Sequence, residues 1–447
     1  MSLGFAVVQL DVTVVNVAVE SIGSSLGGGV AALQWVVNAY TIVFAGLILT
    51  SGALGDRLGA RRLFIAGFII FVAASIVCGM APSLVILIGA RSVQGIGASI
   101  LVPCSLTLLN HTYQSADSRD KAVGIWAGVA GVALAGGPVI GGVLIAGIGW
   151  RAIFFINLPL GVLGIWLTVR YASESTRSLQ RPLDLSGQVA AIVAVAVMAA
   201  ALIEGGTIGW SNAMVIAGFG IFIAAGATFI AIEDRTNDPM LPLSFFRNQT
   251  FTATTLIGLL INFAFYGLIF DFSLYFQRIR TFTPLITGFA FIPMTAVIAI
   301  ANILAGRASS WVGAGPLMVI GQFVFAAGCL FLVTIGAATH YNELWWQLVL
   351  IGAGIGLTVP PMTSALLATV NKAQSGVASG VLNTTRQIGS VIGVALFGSL
   401  VANRNHFIAG MHLALYVSTI LVLIGGVAAF VMIRDNGPAA NESPSAM

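Results

Sequence analysis

Charge is scarce in this sequence: Asp, Glu, Lys and Arg together make up 8% of 447 residues. A soluble globular domain carries about 25%. Most of the molecular surface therefore faces something other than water. Lysine is nearly missing, with Lys121 and Lys372 alone, and neither sits in a Gly-rich phosphate loop. This excludes ATP as an energy source used directly by this chain. Cysteine is limited to Cys78, Cys104 and Cys329, each inside an apolar run. Three isolated cysteines make neither a disulfide framework nor a metal site. His111, His340, His406 and His412 lack ligand spacing, so no metal or other cofactor is expected. Net charge is only +4 and the basic residues form no stripe, which argues against a nucleic-acid partner. No nucleophile–base pair suggests an enzyme. The N-terminus shows no charged region ahead of its first apolar stretch, so no cleavable signal peptide is expected, and the start itself could be trimmed or misassigned.

What is present is apolar length. Residues of the hydrophobic class reach 58% and mean hydropathy is +1.01. Fourteen apolar segments run through about 2–20, 32–54, 62–81, 83–109, 121–146, 150–170, 185–203, 211–232, 251–276, 284–306, 314–336, 344–370, 375–402 and 408–433. Each is long enough to cross a bilayer as a helix. Backbone polar groups in lipid must be satisfied within the element, and the segments do not alternate as barrel strands do. The expected fold class is an all-α, multi-pass membrane protein whose main partner is the lipid bilayer.

Basic residues predict orientation. With the N-terminus inside, the inner side holds Arg57, Arg61, Arg62, Arg119, Lys121, Arg170, Arg177, Arg181, Arg235, Arg247, Arg307, Lys372 and Arg434. The outer side holds Arg151, Arg278, Arg280 and Arg404. Both termini are thus expected to be cytoplasmic. Polar connections at 171–184 and 233–250 bracket one helix pair. The expected organisation is a six-helix bundle over 1–171, a two-helix insertion over 185–232, a second six-helix bundle over 251–434, and a disordered tail over 435–447. The two bundles look like diverged repeats. Gly52 aligns with Gly306, Gly59 with Gly313 and Leu63 with Leu317. Gly95, Gly97 and Pro103 find counterparts in Gly354, Gly356 and Pro360. Internal repeats with a site at their interface mark secondary transporters.

Short motifs sharpen this. GALGDRLGARR at 52–62 carries Gly52, Asp56, Arg57, Gly59, Arg61 and Arg62. LIGARSVQGIGAS at 87–99 carries Arg91, Gln94, Gly95 and Gly97. GVALAGGPVIGG at 131–142, with Gly124 upstream, carries Gly137, Pro138, Gly141 and Gly142. This set resembles the loop, fourth-helix and antiporter motifs of the major facilitator superfamily. Ala133 stands where that family usually has glycine. LDVTVVNVA at 10–18, LQWVVNAY at 33–40, WRAIFFINLPLG at 150–161 and SGVASGVLNTTRQIGSVIGVAL at 375–396 are similar to the superfamily's fourteen-helix drug:proton antiporters.

The resemblance implies two six-helix bundles around a cavity, plus a central pair, in the plasma (inner) membrane of a bacterium. It implies export of small amphipathic or lipophilic compounds in exchange for protons. A monomer is expected. A dedicated exporter of one metabolite, and a receptor on the same fold that moves nothing, remain the alternatives.

Individual residues carry expectations of their own. Asp11 and Arg91 are mid-span charges, each costing about 2.5–3.5 kcal/mol even on a mild scale. Either they form a structural pair, or Asp11 titrates with Arg91 adjusting it, which is the expected proton-coupling site. Asn16, Trp35, Tyr40, Gln94, Tyr266, Asp271 and Arg386 are expected along a substrate cavity, with Phe265 adding to an aromatic wall. Asp271 departs from the family pattern, and a boundary charge near Arg278 and Arg280 is an equal reading of it. Ala133, Gly137 and Gly141 are spaced by four, as are Gly124 and Gly128, giving smooth faces for close helix approach. With Pro138 and Gly142 they are expected to form a gating seam, or simply to pack. The family's counterpart of Asp56 approaches the start of a helix in the other half, which here begins at 375. That places Asp56 among the conformational residues, where an anion at a helix N-terminus gains about 0.3–1 kcal/mol.

Overall fold

The computed structural model describes residues 1–113, 115–174, 184–236, 239–371 and 374–433. Arg177, Arg181, Lys372, Arg434 and the tail over 435–447 lie outside them. The described chain is helical throughout. In order the helices are α1 (Ser2–Leu26), α2 (Val30–Leu58), α3 (Ala60–Met80), α4 (Leu84–Thr112), α5 (Ala116–Gly147), α6 (Ala152–Phe155), α7 (Asn157–Tyr171), α8 (Leu185–Ile208) and α9 (Ala213–Arg235). They continue with α10 (Gln249–Leu274), α11 (Pro284–Ala290), α12 (Ile292–Val312), α13 (Ala314–Leu332), α14 (Tyr341–Ala368), α15 (Ser375–Leu400) and α16 (Phe407–Met432).

Two predicted segments are each broken once. The sixth divides at Ile156 into α6 and α7, and the tenth divides at Phe291 into α11 and α12. Counted as continuous crossings, these give the fourteen spans read from the sequence. Thirteen of them are long and apolar enough to cross a membrane by composition alone. The exception is α15, whose NTTRQ stretch from Asn383 to Gln387 dilutes its apolar character. Its burial between other helices, and not lipid exposure, keeps it in the bundle.

Seven helices, α1–α7, pack with one another, and α10–α16 do the same. Between them α8 lies against both α2 and α15, while α9 touches mainly α8. Only 6% of the central stretch of α9 is buried, so its apolar surface faces outward. Gln188 fixes α8 to α2 by hydrogen bonds to the Thr50 hydroxyl and the Gly46 carbonyl. The halves meet where α2 packs on α15, α5 on α11 and α12, and α1 on α10.

The repeat survives in backbone detail. Gly59 (φ +100°) and Gly313 (φ +91°) each connect two helices through one residue in the left-handed region. Only glycine enters that region without strain. Leu63 and Leu317 are buried behind them. The fourth-helix glycines correspond with an offset of two. Gly97 faces α3 and Gly354 faces α13, while Gly95 and Gly356 face α2 and α12. Pro103 and Pro360 keep the same spacing from Gly97 and Gly354.

These glycines set how closely helices approach. A Cβ on Gly97 would lie 2.7 Å from the Phe71 backbone nitrogen, and one on Gly354 would lie 2.6 Å from the Gly321 carbonyl oxygen. On α9, a Cβ at Gly220 would meet nothing within 4 Å. Gly97→Ala and Gly354→Ala are therefore expected to destabilise by about 1–3 kcal/mol through overpacking. Gly220→Ala should be neutral or stabilising by about 0.5–1 kcal/mol, because glycine is a poor helix former. Thermal unfolding of the three variants in detergent measures the contrast, and equal losses at all three would refute it.

Candidate functional site

Five helices bring polar side chains to one buried point in the first half. Asp11 on α1 is 2% exposed and Arg91 on α4 is 1% exposed. The Arg91 guanidinium forms an ion pair with Asp11. Arg91 also donates to the Val36 carbonyl on α2 (3.2 Å) and to Gln94 Oε1 (2.7 Å). Its guanidinium lies over the Tyr40 ring, 4.2 Å from the centroid. Gln94 Nε2 returns a bond to Asp11 Oδ1 (2.8 Å) and another to Ser75 Oγ on α3 (2.8 Å). Asn157 at the start of α7 donates to Asp11 Oδ1 (3.1 Å) and Ser75 Oγ (3.2 Å).

Three donors thus converge on one carboxylate. An ionised carboxylate accepts all of them, whereas a protonated one would turn a donor towards donors. Besides Asp11, Arg91 holds three other partners: the Val36 carbonyl, Gln94 Oε1 and the Tyr40 ring.

The sequence singled out the Asp11–Arg91 pair but missed Ser75 and Asn157, and Gln94, expected along the cavity, joins the pair instead. Asn157 was the one amide within the apolar run FFINLPLG, a signal that could have been used. Ser75 had none. Tyr40, expected along the cavity, packs instead beneath Arg91 and is fully buried.

A separate cavity of about 350 Å³ lies at the end of the bundle that carries Met1 and Ile433. Its wall is formed by the ends of α2 and α4 and the start of α15, and includes Leu49, Leu106, Trp126, Val377 and Asn383. Gly52 and Asp56 line it, as does Gly376 in the first turn of α15. Asp56 and that helix start thus share one cavity. Nearby, Arg57 sits in the last turn of α2, where a cation suits the helix dipole. Arg61 donates to the Val169 carbonyl (2.8 Å), its backbone nitrogen donates to Glu174 (3.0 Å), and Arg62 lies 3.7 Å from the same carboxylate. Gly59 is covered by that glutamate.

The opposite end is closed. Ser273 on α10 donates to the Asn16 carbonyl on α1 (2.6 Å), Gln277 donates to Val17 (3.0 Å), and Arg278 pairs with Glu20. Gln34 on α2 donates to the Val394 and Ala395 carbonyls of α15 (2.8 and 2.6 Å).

Along α5 the small-residue stripe divides. A Cβ on Gly137 would come 2.8 Å from Thr13 Cβ, and one on Gly141 would come 3.2 Å from the Val14 carbonyl, both on α1. Gly142 and Pro138 face α11, at Pro284 and Gly288. Ala133 is half-buried against the core. At Gly124 and Gly128, by contrast, a Cβ would meet nothing within 4 Å.

Other expected residues scatter. Trp35 lines a lateral groove with Leu84, Ile88 and Glu204, away from the cavity. Asn16 is buried and seals the closed end. Tyr266 is buried on α10, its ring 5.2 Å from that of Phe265. Asp271 is not at a boundary: it is 0% exposed, and its oxygens have no hydrogen-bond partner among the described residues. The helix runs on to Leu274 and then through a π turn, Tyr275–Ile279, so Asp271 lies inside it. The arginines near it in sequence are engaged elsewhere, Arg278 with Glu20 and Arg280 with the Ala337 carbonyl. Arg386 lies within α15, half-buried.

Removing one member of a buried ion pair strands the other. Asp11→Asn and Arg91→Gln should each destabilise by about 3–5 kcal/mol. The double variant should recover much of that loss. Unfolding in detergent across the four-member cycle tests the pair, and additive losses would show that the two charges do not depend on each other.

Comparison with known proteins places these features in context. The sequence profile described as Major Facilitator Superfamily matches residues 1–394. The methylenomycin A resistance protein of Streptomyces coelicolor is 36% identical over 97% of this chain and 91% of its own length. The multidrug resistance protein Stp of Mycobacterium tuberculosis is 35% identical over 90% of this chain and 74% of its own. Among solved structures, a bacterial homologue of the human lysosomal transporter Spinster, in an inward-facing and occupied conformation, aligns with a TM-score of 0.62 at 17% identity, covering 96% of this chain and 95% of that one.

Proposed function

The chain belongs to the major facilitator superfamily of membrane transporters, and we propose that it exports small amphipathic compounds in exchange for protons by alternating access. The observation that carries this reading is the pairing of a buried, charged Asp11–Arg91 centre with a cavity at one end of the bundle. The names of its relatives, resistance proteins for methylenomycin A and for multiple drugs, point to the same class of cargo.

On this reading the end carrying the termini faces the cytoplasm, as the basic residues suggest. The conformation is then open inward. Substrate enters between the ends of α2, α4 and α15. Protonation of Asp11 frees Arg91 to its other partners and loosens the links among α1, α4 and α7. The first half can then rock against the second, as alternating access requires. One proton moving down 100 mV supplies about 2.3 kcal/mol. At about 1.4 kcal/mol per decade this supports roughly a 50-fold gradient of a neutral substrate.

Two experiments bear on it. Proteoliposomes loaded with a lipophilic dye should expel it when a pH gradient is imposed, and Asp11→Asn should abolish uphill movement while leaving downhill leak. Proton-driven efflux at the parental rate by Asp11→Asn would remove that residue from coupling.

The stripe on α5 gives the second. Gly137→Leu forces α1 away and should lower both stability and efflux. Gly128→Leu has room in this conformation, so its thermal stability should match the parent while its turnover falls, because the inner end must close during each cycle. Parental turnover in Gly128→Leu would mean that this part of α5 never packs.

A further inference from the structure

The first half carries one deeply placed arginine and neutralises it completely. The second half carries another, Arg386, and does not. Among the described residues Arg386 makes no ion pair, and its Nε is buried without a hydrogen-bond partner. Its position is defined. Asn383 on α15 lines the cavity, and Arg386 follows three residues on, one turn deeper on the same face. Its aliphatic stem crosses α10 at Gly258, where an added Cβ would stand 3.2 Å from Arg386 Cγ. A side chain at 258 would press on that stem. Gly258, Asn262 and Tyr266 are spaced by four and share a face of α10. Tyr266, on that face, lies within electrostatic reach of the guanidinium. Thr384 Oγ1, beside it in sequence, is also buried without a partner.

A guanidinium cannot shed its proton in a protein. A charge at this depth normally has a partner or marks a pathway for one. Among the described residues no acidic side chain pairs with it. Asp271 lies on the opposite face of α10 from Asn262 and Tyr266. Asp11 is occupied by Arg91, and Asp56 and Asp184 sit nearer the mouth of the cavity. The walls leading inward are apolar, with Leu49, Val102, Leu106 and Val377. A ligand suited to this site has an apolar body and one negative charge at its deep end.

We infer that Arg386, with Tyr266 on the facing helix, is an anion-recognition site one helical turn beyond the cavity lining at Asn383, and that it selects small organic monoanions, carboxylates or sulfonates on an apolar body, as substrates. This rests on the export reading for its direction of transport but not for binding. Arginine matches the planar, two-oxygen end of such anions. Exporting an anion while a proton enters moves net positive charge inward, so transport of such substrates responds to membrane potential as well as to the pH gradient.

The test separates charge from shape. Tritiated 2-naphthoate and its neutral isostere 2-naphthamide are compared by equilibrium binding to the purified protein in detergent. The parent should bind 2-naphthoate at least tenfold more tightly than the amide. Arg386→Gln should remove that preference, and Arg386→Lys should keep part of it. In proteoliposomes, Arg386→Gln should lose 2-naphthoate export while retaining efflux of ethidium, a cation. Equal binding of acid and amide by the parent, an unchanged preference in Arg386→Gln, or the loss of ethidium efflux along with 2-naphthoate export in both variants would each overturn the assignment. Arg386-dependent binding without gradient-driven export of either compound would leave the anion site standing and remove the export reading instead.

Discussion

Arg91 is a full positive charge held 1% exposed inside an apolar bundle, and the first half is arranged around keeping it there. Its cost in hydrocarbon is met from every side: an ion pair from α1, a carbonyl from α2, an amide from its own helix and an aromatic ring from Tyr40. Breaking any single contact leaves the others, but removing the carboxylate leaves a buried charge. That requirement draws α1, α2, α3, α4 and α7 to one point, because Ser75 and Asn157 complete the valences of the same cluster. Close packing follows from it. Gly95 lies one turn from Arg91 on α4, and an added Cβ there would stand 2.5 Å from the Tyr40 carbonyl oxygen. The glycine lets α2 approach closely enough for its Val36 carbonyl and Tyr40 ring to reach the guanidinium.

The second half shares the fold but not this solution. Its polar interior is poor in partners: Asp271, Gln322 and Ser418 are buried with unsatisfied side-chain atoms among the described residues. The repeat is therefore conserved in backbone and glycine placement and divergent in charge. Gly59 and Gly313 turn the chain alike, and Gly97 and Gly354 seat corresponding helix pairs, yet no counterpart of the Asp11–Arg91 pair is found on α10 and α14. One half holds a closed, buried ion pair. The other half holds a cation that makes no ion pair among the described residues. The chemistry of a coupled exporter can be divided between them in that way.

Much of this was legible beforehand because a bilayer leaves few choices. Span number, order and the broken symmetry of six, two and six follow from apolar length and two polar connections. Asp11, Arg91 and Gln94 stood out because charge and amide are rare in such runs. What stayed hidden depends on direction around a helix. Tyr40 and Trp35 lie five residues apart on α2, and at 100° per residue they point to different sides, one beneath Arg91 and one into a lateral groove. Nothing in their identity says which. Ser75 was one hydroxyl among many. Asp271 left two equal readings, a cavity residue and a boundary charge, because the arginines after it are close in sequence, but helix α10 continues past it and those arginines meet Glu20 and Ala337.

The division of α5 ties the fold to movement. Its small residues recur by fours in two separate sets, Gly124 with Gly128 and Ala133 with Gly137 and Gly141, and the five-residue step between the sets turns them to different faces of the helix. The second set is in contact, wedged between α1 and α11, whereas the face bearing Gly124 and Gly128 is open. Packing alone explains that second set and leaves Gly124 and Gly128 without a reason, since a helix facing open space loses stability with each glycine it carries. On the export reading the reason is the other conformation. A face that is open now and must be covered when the inner end shuts has to be as smooth as the one already packed. The bonds that close the far end are of a kind that permits this: side chains donating to carbonyls across the interface, Ser273 to Asn16, Gln277 to Val17 and Gln34 to α15. Each of those donors and acceptors can be satisfied by water when the halves part. A seal of interlocked apolar side chains would lose its burial on opening, whereas this one exchanges hydrogen bonds nearly evenly, and the two ends can differ little enough in free energy for one proton to decide between them.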